Sequence, residues 1–361
     1  MIRNSVNTLL AGSAAIALLG LAATAAPVQQ AEQRFDGANE FSLAGFVGTL
    51  IVETGGDVLT VSMTGAADGG PLELTERDGT VSLTGDRKAV KELYRKGSPW
   101  QKKGWHWTSS KDSQEKFAEF LSDYPTITVR LPEGGDLSID EAALIITATD
   151  DMGDVSMGGL YEAYGTLGRT ESAAFGIAGM GELTAGDVSG DLSVSIAGSG
   201  SLMAANAGST AIRISGSGDV ELGDISSDFS VHVSGSGDVE TGTIGGSVDV
   251  RISGSGDVSM GTIANALEIG INGSGDVEAD EVNGPASIRI NGSGDVDIGH
   301  GRAENFSVRI NGGGDVSFGG VATNPDIRVA GSGDVDIKDY EGTVSVKGDG
   351  DVRIGDLTFN D

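Results

Sequence analysis

The sequence predicts an all-β protein whose main part is a parallel β-solenoid (β-helix) of about 19-residue coils. Three observations predict this fold: a repeated Gly-Ser-Gly-Asp-Val motif, columns of β-branched residues in the aligned repeats, and polar residues that alternate with those columns. Alternation with a period of two indicates short strands with one buried face. The chain has 361 residues, 59 of them glycine. A repeat array can reach this length without a single large core.

The first element is an apolar N-terminal stretch. Arg3 precedes a run of apolar and small residues over 9–23, and Ala23-Thr24-Ala25 fits the small-x-small pattern of signal cleavage. The run is short for a membrane span. We therefore expect a signal peptide over residues 1–25, with an uncleaved anchor as the alternative. The mature chain is then exported to the periplasm, the cell surface or the medium.

We predict two regions after this segment: an N-terminal β region over residues 26–140 and a repeat solenoid over residues 141–361. In the first region, "FVGTLIVETGGDVLTVSMTG" and "PLELTERDGTVSLTG" alternate and turn on glycine. These strands are expected to be early coils or a small sheet over the end of the solenoid, because an open end exposes strand edges.

Residues 86–125 interrupt the β pattern with a predicted helical insertion. In "DRKAVKELYRK" we expect Asp86 to be the N-cap, and in "DSQEKFAEFLSDYP" Asp112 and Glu115 resemble a capping box. Each segment places apolar residues on one face: Val90, Leu93 and Tyr94 in the first, and Phe117, Phe120 and Leu121 in the second.

The stretch between the two predicted helices, "SPWQKKGWHW", is basic and aromatic. It holds all three tryptophans, and residues 87–111 contain eight Lys or Arg and one Glu in a chain of formal charge −30. One interpretation is that the tryptophans plug the end or side of the solenoid, with the lysines as a solvated rim. The other is a contact site for an anionic envelope surface, or for the acidic coils of another copy. The predicted contact residues are Trp100, Lys102, Lys103, Trp105 and Trp107.

The Asp of the repeated motif marks the period of the solenoid. It falls at Asp219, Asp238, Asp257, Asp276, Asp295, Asp315, Asp334 and Asp351, with steps of 19, 19, 19, 19, 20, 19 and 17. A unit of this length is too short for a strand–helix–strand crossover, so each unit is predicted to be one coil.

Three aliphatic columns define the predicted strands. One runs from Ile212 to Val344, the next from Ile214 to Val346, and the third follows the motif from Val220 to Val352. A further short strand is expected near Ile225, Ile244 and Ile263. The charges expected to face outward are those of Arg213, Glu221, Arg251 and Arg289.

The polar residues of the motif have predicted structural roles. Gly216 and Gly218 are expected at a corner that needs positive φ. The residues before them are expected to stack as a polar ladder: Ser215, Ser234, Ser253, Asn272, Asn291 and Asn311. The Asp is expected to accept hydrogen bonds from turn N–H groups.

Stacked carboxylates about 5 Å apart in water repel by roughly 0.8 kcal/mol per pair. We expect the arginine column, lying across the corner, or bound cations to offset this repulsion. The alternative role of the Asp column is weak calcium binding at Asp219, Asp238, Asp257, Asp276 and Asp295, although the spacing differs from the nine residues of calcium-binding β-rolls. No other cofactor is expected.

These residues carry a family likeness. The repeated "ISGSGDVELG", together with "ITVRLPEGGDLSID", resembles the head GIN domain family of autotransporter adhesin heads, a bacterial domain of unknown function, over roughly residues 40–361. The resemblance implies an exported, parallel β-helical protein of bacterial origin with an adhesin-like role. It brings no catalytic residues.

Composition and motifs favour a binding or scaffold protein over a nucleic-acid-binding protein or an enzyme. The acidic charge disfavours nucleic acid as a partner. The chain has no cysteine, and His106, His232 and His300 are scattered in sequence. We therefore expect a non-enzymatic binding or scaffold protein of the cell envelope, with a glycan, lipid headgroup or protein as partner and with self-association open. The alternative is a polysaccharide lyase or hydrolase on the same fold.

Overall fold

A computed structural model of the chain describes residues 16–17, 32–65, 70–95, 97–99 and 110–359. Over these residues the chain forms one 28-stranded sheet, wound into a parallel β-solenoid, and two helices. The predicted fold class is confirmed. The elements are β1 (Ile16–Ala17), β2 (Gln33–Asp36), β3 (Glu40–Thr54), β4 (Val58–Thr64), β5 (Glu73–Arg77), β6 (Thr80–Thr84), α1 (Arg87–Tyr94), α2 (Ser110–Leu121), β7 (Thr126–Leu131), β8 (Asp136–Ala148), β9 (Val155–Leu167), β10 (Ala173–Ala185), β11 (Leu192–Ile196), β12 (Ser201–Ala204), β13 (Thr210–Ile214), β14 (Val220–Leu222), β15 (Phe229–Gly235), β16 (Val239–Thr241), β17 (Val248–Gly254), β18 (Val258–Ile263), β19 (Leu267–Gly273), β20 (Val277–Val282), β21 (Pro285–Gly292), β22 (Val296–Gly312), β23 (Val316–Thr323), β24 (Asp326–Gly331), β25 (Val335–Glu341), β26 (Ser345–Gly348), β27 (Val352–Ile354) and β28 (Leu357–Phe359).

The parallel stack begins at β3. Residues 40–44 of β3 pair with β6, residues 49–54 pair with β7, and the strand also pairs with β8. Thus β6 and β7 form one interrupted coil on one edge of β3, and β8 begins the next coil on the other edge. The antiparallel pairs β2–β4, β4–β7 and β5–β6 extend the first edge. Both arrangements expected for these strands occur, namely early coils and a small covering sheet.

From β8 onward, successive coils pair in parallel and their aliphatic columns stack, apart from local register shifts in some strand pairs. Ile212 pairs with Val231, which pairs with Val250. The column after the motif behaves in the same way: Val220, Val239 and Val258 are aligned and are 2%, 2% and 1% exposed. The expected third strand is a line of parallel bridges through Ile225, Ile244 and Ile263, all of which are buried. Arg213, Glu221, Arg251 and Arg289 are exposed, as predicted.

The last coil departs from the predicted alignment. Ile327 pairs with Val346 rather than with Val344, and the two-residue shift holds along β26. Val335 still pairs with Val352. The two residues that the last unit lacks are therefore missing from the glycine turn between β26 and β27. An alignment counted backwards from Asp351 therefore misplaces β26 by two residues.

The two motif glycines are needed for different reasons. Gly216 has φ of 156°, and its equivalents in the following coils are also positive, as predicted. Gly218 does not have positive φ, so that part of the prediction is wrong. A Cβ at Gly218 would lie 2.3 Å from the carbonyl oxygen of Gly200 and 2.6 Å from Cγ2 of Ile196. The second glycine is required because the neighbouring coil approaches its Cα closely.

Candidate functional site

The helical insertion lies between β6 and β7, which both pair with β3. It therefore leaves the solenoid beside the bend of β3, where Gly45 has φ of 63°. The carboxylate of Asp86 accepts a hydrogen bond from the Ala89 N–H at 3.0 Å, which confirms the predicted N-cap of α1. The second predicted start is wrong: α2 begins at Ser110, so Asp112 lies in its first turn. This position still favours the helix, because carboxylates stabilise a helix N-terminus.

The coils beneath the insertion carry apolar residues on their outer surface. Val47 of β3 and Ala143 of β8 are register partners, and both belong to a buried cluster with Tyr164 of β9. From the insertion, Val90 and Phe117 pack into the same cluster, and Phe117 is fully buried. The helices therefore cover the side of the first coils rather than their end.

Aromatic rings hold the insertion against these coils. Tyr94 of α1 stacks on Tyr161 of β9 with ring centroids 5.8 Å apart. Phe117 of α2 lies 5.6 Å from Tyr164. Contacts of this kind contribute about 0.5–1.5 kcal/mol beyond the area that they bury. Together with the buried cluster they fix the two helices on the solenoid.

A carboxylate is buried under the insertion. Glu162 of β9 is 0% exposed, and its register partners are Ala143 and Met180. The Ser98 hydroxyl, itself in a 2% exposed residue, donates a hydrogen bond to Glu162 Oε2 at 2.6 Å. Ser98 stands two residues before Trp100. This bond therefore anchors the start of the basic aromatic stretch on the coils.

Burial and the nearby Glu162 carboxylate raise the pKa of Tyr94 and of Tyr164 above the usual tyrosine value. Both phenol groups beneath the helices are therefore uncharged at physiological pH. Sequence reasoning missed Glu162. The available signal was a single acid in "GGLYEAYGTL", where residues of both strand faces are otherwise apolar or small.

The predicted contact residues Trp100, Lys102, Lys103, Trp105 and Trp107 lie outside the described residues. The predicted signal peptide does so as well, apart from residues 16–17. The structure describes both sides of the basic aromatic stretch, at residues 97–99 and from Ser110 onward. The contact role of these five residues stays a prediction.

The Asp column of the repeats forms a coil-to-coil hydrogen-bond ladder. The N–H of Asp238 donates to Asp219 Oδ1 at 3.1 Å, and the N–H of Asp257 donates to Asp238 Oδ1 at 2.9 Å. In return, the Val220 N–H donates to the carbonyl oxygen of Asp238 at 3.0 Å. The ladder continues through the next carboxylates: Asp257, Asp276, Asp295 and Asp315. The carboxylate of each Asp from Asp219 to Asp315 thus accepts a hydrogen bond from the turn N–H of the following coil.

Calcium binding by this column is not decided by the ladder, which uses only one carboxylate oxygen of each Asp. Within the described ranges, no three His, Asp or Glu side chains gather closely enough to hold a metal ion. The five candidates Asp219, Asp238, Asp257, Asp276 and Asp295 are exposed. Their calcium affinity stays a prediction.

The arginine column is paired differently from the prediction. Arg251 contacts Asp249 at 2.6 Å, and Arg289 contacts Glu268 at 3.0 Å, on the same face of the sheet. In the part of the chain that the structure describes, no ion pair joins an arginine to the Asp column. The expected offset by arginines across the corner is therefore wrong, whereas the alternative offset by bound cations stays a prediction.

The predicted polar ladder is confirmed for its amide members. The Asn291 side chain donates to Asn272 Oδ1 at 3.0 Å, and the Asn311 side chain donates to Asn291 Oδ1 at 2.9 Å. In the earlier coils Ser234 instead contacts His232 at 3.2 Å. At this position the amide side chains thus bridge adjacent coils, whereas Ser234 bonds within its own strand.

Comparison with known proteins assigns the repeats. Residues 223–298 and 267–357 match the family described as "Putative auto-transporter adhesin, head GIN domain". Residues 223–357 of the repeat solenoid are thus similar to the head GIN domain family, whereas the predicted likeness extended over roughly residues 40–361. The predicted resemblance is thereby confirmed.

Two solved structures resemble the chain. A "putative adhesin" from Bacteroides fragilis is 12% identical over 91% of this chain and 96% of that chain, with a TM-score of 0.26. A "putative lipid binding protein" from Parabacteroides distasonis is 14% identical over the same shares, with a TM-score of 0.24. No curated protein matches the sequence.

The histidines of the head GIN region lie on separate strands. His232 is on β15 beside Ser234, and His300 is exposed on β22 in register with Glu281. His106 lies outside the described residues.

Among the helices that the structure describes, neither is long and apolar enough to span a membrane.

Proposed function

We propose that the chain is an exported, non-enzymatic protein of the cell envelope that binds an anionic envelope surface through residues 100–107. The head GIN coils serve as its scaffold. The observation that carries the proposal is the anchored start of this stretch, where buried Ser98 bonds buried Glu162 beneath two docked helices. The adhesin name of the matched family supports a binding role.

The distribution of charge determines which side of the chain faces an anionic surface. The formal charge of the chain is −30, although residues 87–111 contain eight Lys or Arg and one Glu. An anionic surface repels the acidic coils and attracts this segment, so the chain approaches it with the insertion side first. Tryptophans beside lysines suit a half-wet interface, because the rings leave bulk water while the ammonium groups stay solvated.

The test uses the full chain with vesicles of anionic or zwitterionic phospholipid and, separately, with soluble polygalacturonate. Each lysine near an anionic surface contributes about 1 kcal/mol, so replacing Lys102 and Lys103 with Ala should weaken binding roughly thirtyfold. Replacing Trp100, Trp105 and Trp107 with Ala should also weaken it and leave the melting temperature nearly unchanged. The matched control replaces Lys338 and Phe359, which lie exposed near the other end of the solenoid.

The two anionic sources give different results in this design. Binding to anionic vesicles alone identifies headgroups, and retention on polygalacturonate alone identifies an acidic glycan. No binding to either at low salt contradicts the proposal. A large fall in melting temperature of the tryptophan variant would show instead that the rings stabilise the coils.

Sedimentation of the same variants tests whether the basic segment binds the acidic coils of another copy, and cell fractionation tests export to the periplasm.

A further inference from the structure

A groove of about 770 Å³ runs along one side of the regular coils. It lies at the N-terminal ends of β11, β13, β15, β17, β19 and β21, where each strand follows a turn. Its lining repeats over six coils, from residues 191–193 to residues 285–287. Because coils are spaced about 4.8 Å apart, the groove is about 24 Å long. It begins after β10 and is separate from the insertion.

The floor of the groove is made of short outward side chains. Four of the six coils have a small residue at the outward position next to the turn: Ser193, Ala211, Ser230 and Ser287. The other two coils hold Asp249 and Glu268 there. The small residues keep the groove open, and hydroxyl and carboxylate side chains are interspersed in a lining whose exposed surface is mostly apolar.

Two carboxylates in the middle of the groove form ion pairs with arginines beside it. Arg251 contacts Asp249 and Arg289 contacts Glu268, with all four side chains 34–55% exposed. Gly270 stands between the two arginines in the register, and its missing side chain leaves room for Arg289 to reach the preceding coil. Each pair offers hydrogen-bond donors and acceptors side by side without net charge.

This lining disfavours several classes of occupant. The floor strands pair on both edges, so a peptide cannot add to the sheet. The lining holds four carboxylates and no lysine or arginine, which disfavours a polyanion. The adjacent arginine column disfavours a polycation. The large apolar residues of the lining, such as Phe229 and Leu267, are each 1% exposed, so the apolar surface of the groove comes from small side chains rather than from a continuous row of large ones.

We propose that the groove binds an extended segment of an uncharged linear polysaccharide. Sugar hydroxyls both donate and accept hydrogen bonds, which suits serine hydroxyls and carboxylate–guanidinium pairs. A linear polysaccharide also repeats along its length, as the lining does from coil to coil. The ligand and the surface both differ from those of the anionic contact proposed above, so either proposal can fail alone.

The experiment is affinity electrophoresis of the full chain in gels that contain neutral linear polysaccharides of different linkage, namely β-1,3-, β-1,4- and α-1,4-glucans, with polygalacturonate as the acidic comparison. Ser230→Trp fills the floor at an exposed position and should weaken binding to the retarding glucan about tenfold or more. Ala211→Trp, at the same position of the preceding coil, should do the same. Ser236→Trp, exposed in the turn of the same coil as Ser230, should not. The variant in which Trp100, Trp105 and Trp107 of the insertion are replaced with Ala should bind like the unchanged chain.

Thermal melts first establish that each variant is folded. Retardation by none of the neutral glucans overturns the proposal, as does equal weakening by Ser230→Trp and Ser236→Trp. Retardation by polygalacturonate that Ser230→Trp abolishes would also overturn it, because the groove would then bind a polyanion. Shortening of the glucan would support binding in the groove but contradict the non-enzymatic function and favour the lyase or hydrolase alternative.

Discussion

The first coils, which contain β3 and β6 to β9, and the regular coils, from β11 onward, share a parallel strand arrangement. The two sets of coils differ in what their outward side chains contact. In the regular coils most outward residues are polar, and side chains such as Asp238 and Asn291 bond their own equivalents in adjacent coils. In the first coils the outward Val47 and Ala143 are covered by two helices. Repetition distributes stability over many equivalent contacts, whereas the insertion depends on a few contacts that occur once.

The largest expected effects come from removing a buried ring in each region. Phe117→Ala and Phe306→Ala each delete a fully buried phenyl group, at a cost of about 3–5 kcal/mol. Phe306 stacks on Phe318 at 5.0 Å inside the solenoid, whereas Phe117 joins the insertion to it. Hydrogen exchange should show that Phe117→Ala exposes α1 and α2 and leaves β15 to β21 protected. Phe306→Ala should lower protection in the coils around it.

Equal loss of protection in both regions with Phe117→Ala would contradict the comparison, because the insertion would then be part of the same cooperative unit as the regular coils. Leu93→Ala is a milder control in the same insertion, since Leu93 is only partly buried.

The next effect concerns the second motif glycine. A Cβ at Gly256 would lie 2.2 Å from the carbonyl oxygen of Gly237, so Gly256→Ala must push two coils apart, at a cost of about 3 kcal/mol. At Gly270 the nearest atom to a Cβ, the Val250 carbonyl oxygen, is 3.9 Å away. Gly270→Ala is the matched control and should be nearly neutral. Urea denaturation measures both, and similar midpoints for the two variants would show that the coils adjust freely.

Most of the regular region could be predicted from the sequence because its pattern is repeated. Each aliphatic column is sampled eight times, so the register follows from the alignment even where a single unit is ambiguous. The last coil shows the limit. Its two-residue deletion lies in the turn before Asp351, and one unit alone cannot show on which side of the deletion Val344 and Val346 belong.

The candidate site was less predictable because its contacts occur once. The helices and their apolar faces follow from residue spacing, and Asp86 follows from capping chemistry. The surface that the helices cover does not, since Val47 and Ala143 are about a hundred residues apart and meet only through the coil register. Glu162 has no pattern around it that would indicate a partner at Ser98.

A smaller effect tests the Asp ladder and calcium together. Asp257→Ala leaves the Asp276 N–H without its acceptor at 2.9 Å, which should cost about 1 kcal/mol. Asp257→Asn keeps an acceptor oxygen and removes one stacked charge, so it should be close to neutral. Thermal melts with calcium and with a chelator measure both variants. A structural role predicts that the chelator leaves the melting temperature of the unchanged chain unaltered, whereas a chelator-induced fall that Asp257→Ala abolishes would indicate a calcium site.

The smallest effect at neutral pH is expected for Tyr94→Phe, and it separates the two regions at high pH. Burial, followed by the Glu162 carboxylate, raises the pKa of Tyr94 in the folded chain above the ordinary value of about 10. Above that pH the unfolded chain releases the phenolic proton while the folded chain keeps it, so stability falls as pH rises. The loss should appear first in the insertion, where near-ultraviolet circular dichroism reports on all three tryptophans of the chain. Tyr94→Phe should move the alkaline change to higher pH, and Tyr340→Phe, near the other end of the solenoid, should not. Identical alkaline curves for the unchanged chain and Tyr94→Phe would show that the docked insertion does not hold this hydroxyl in its protonated form.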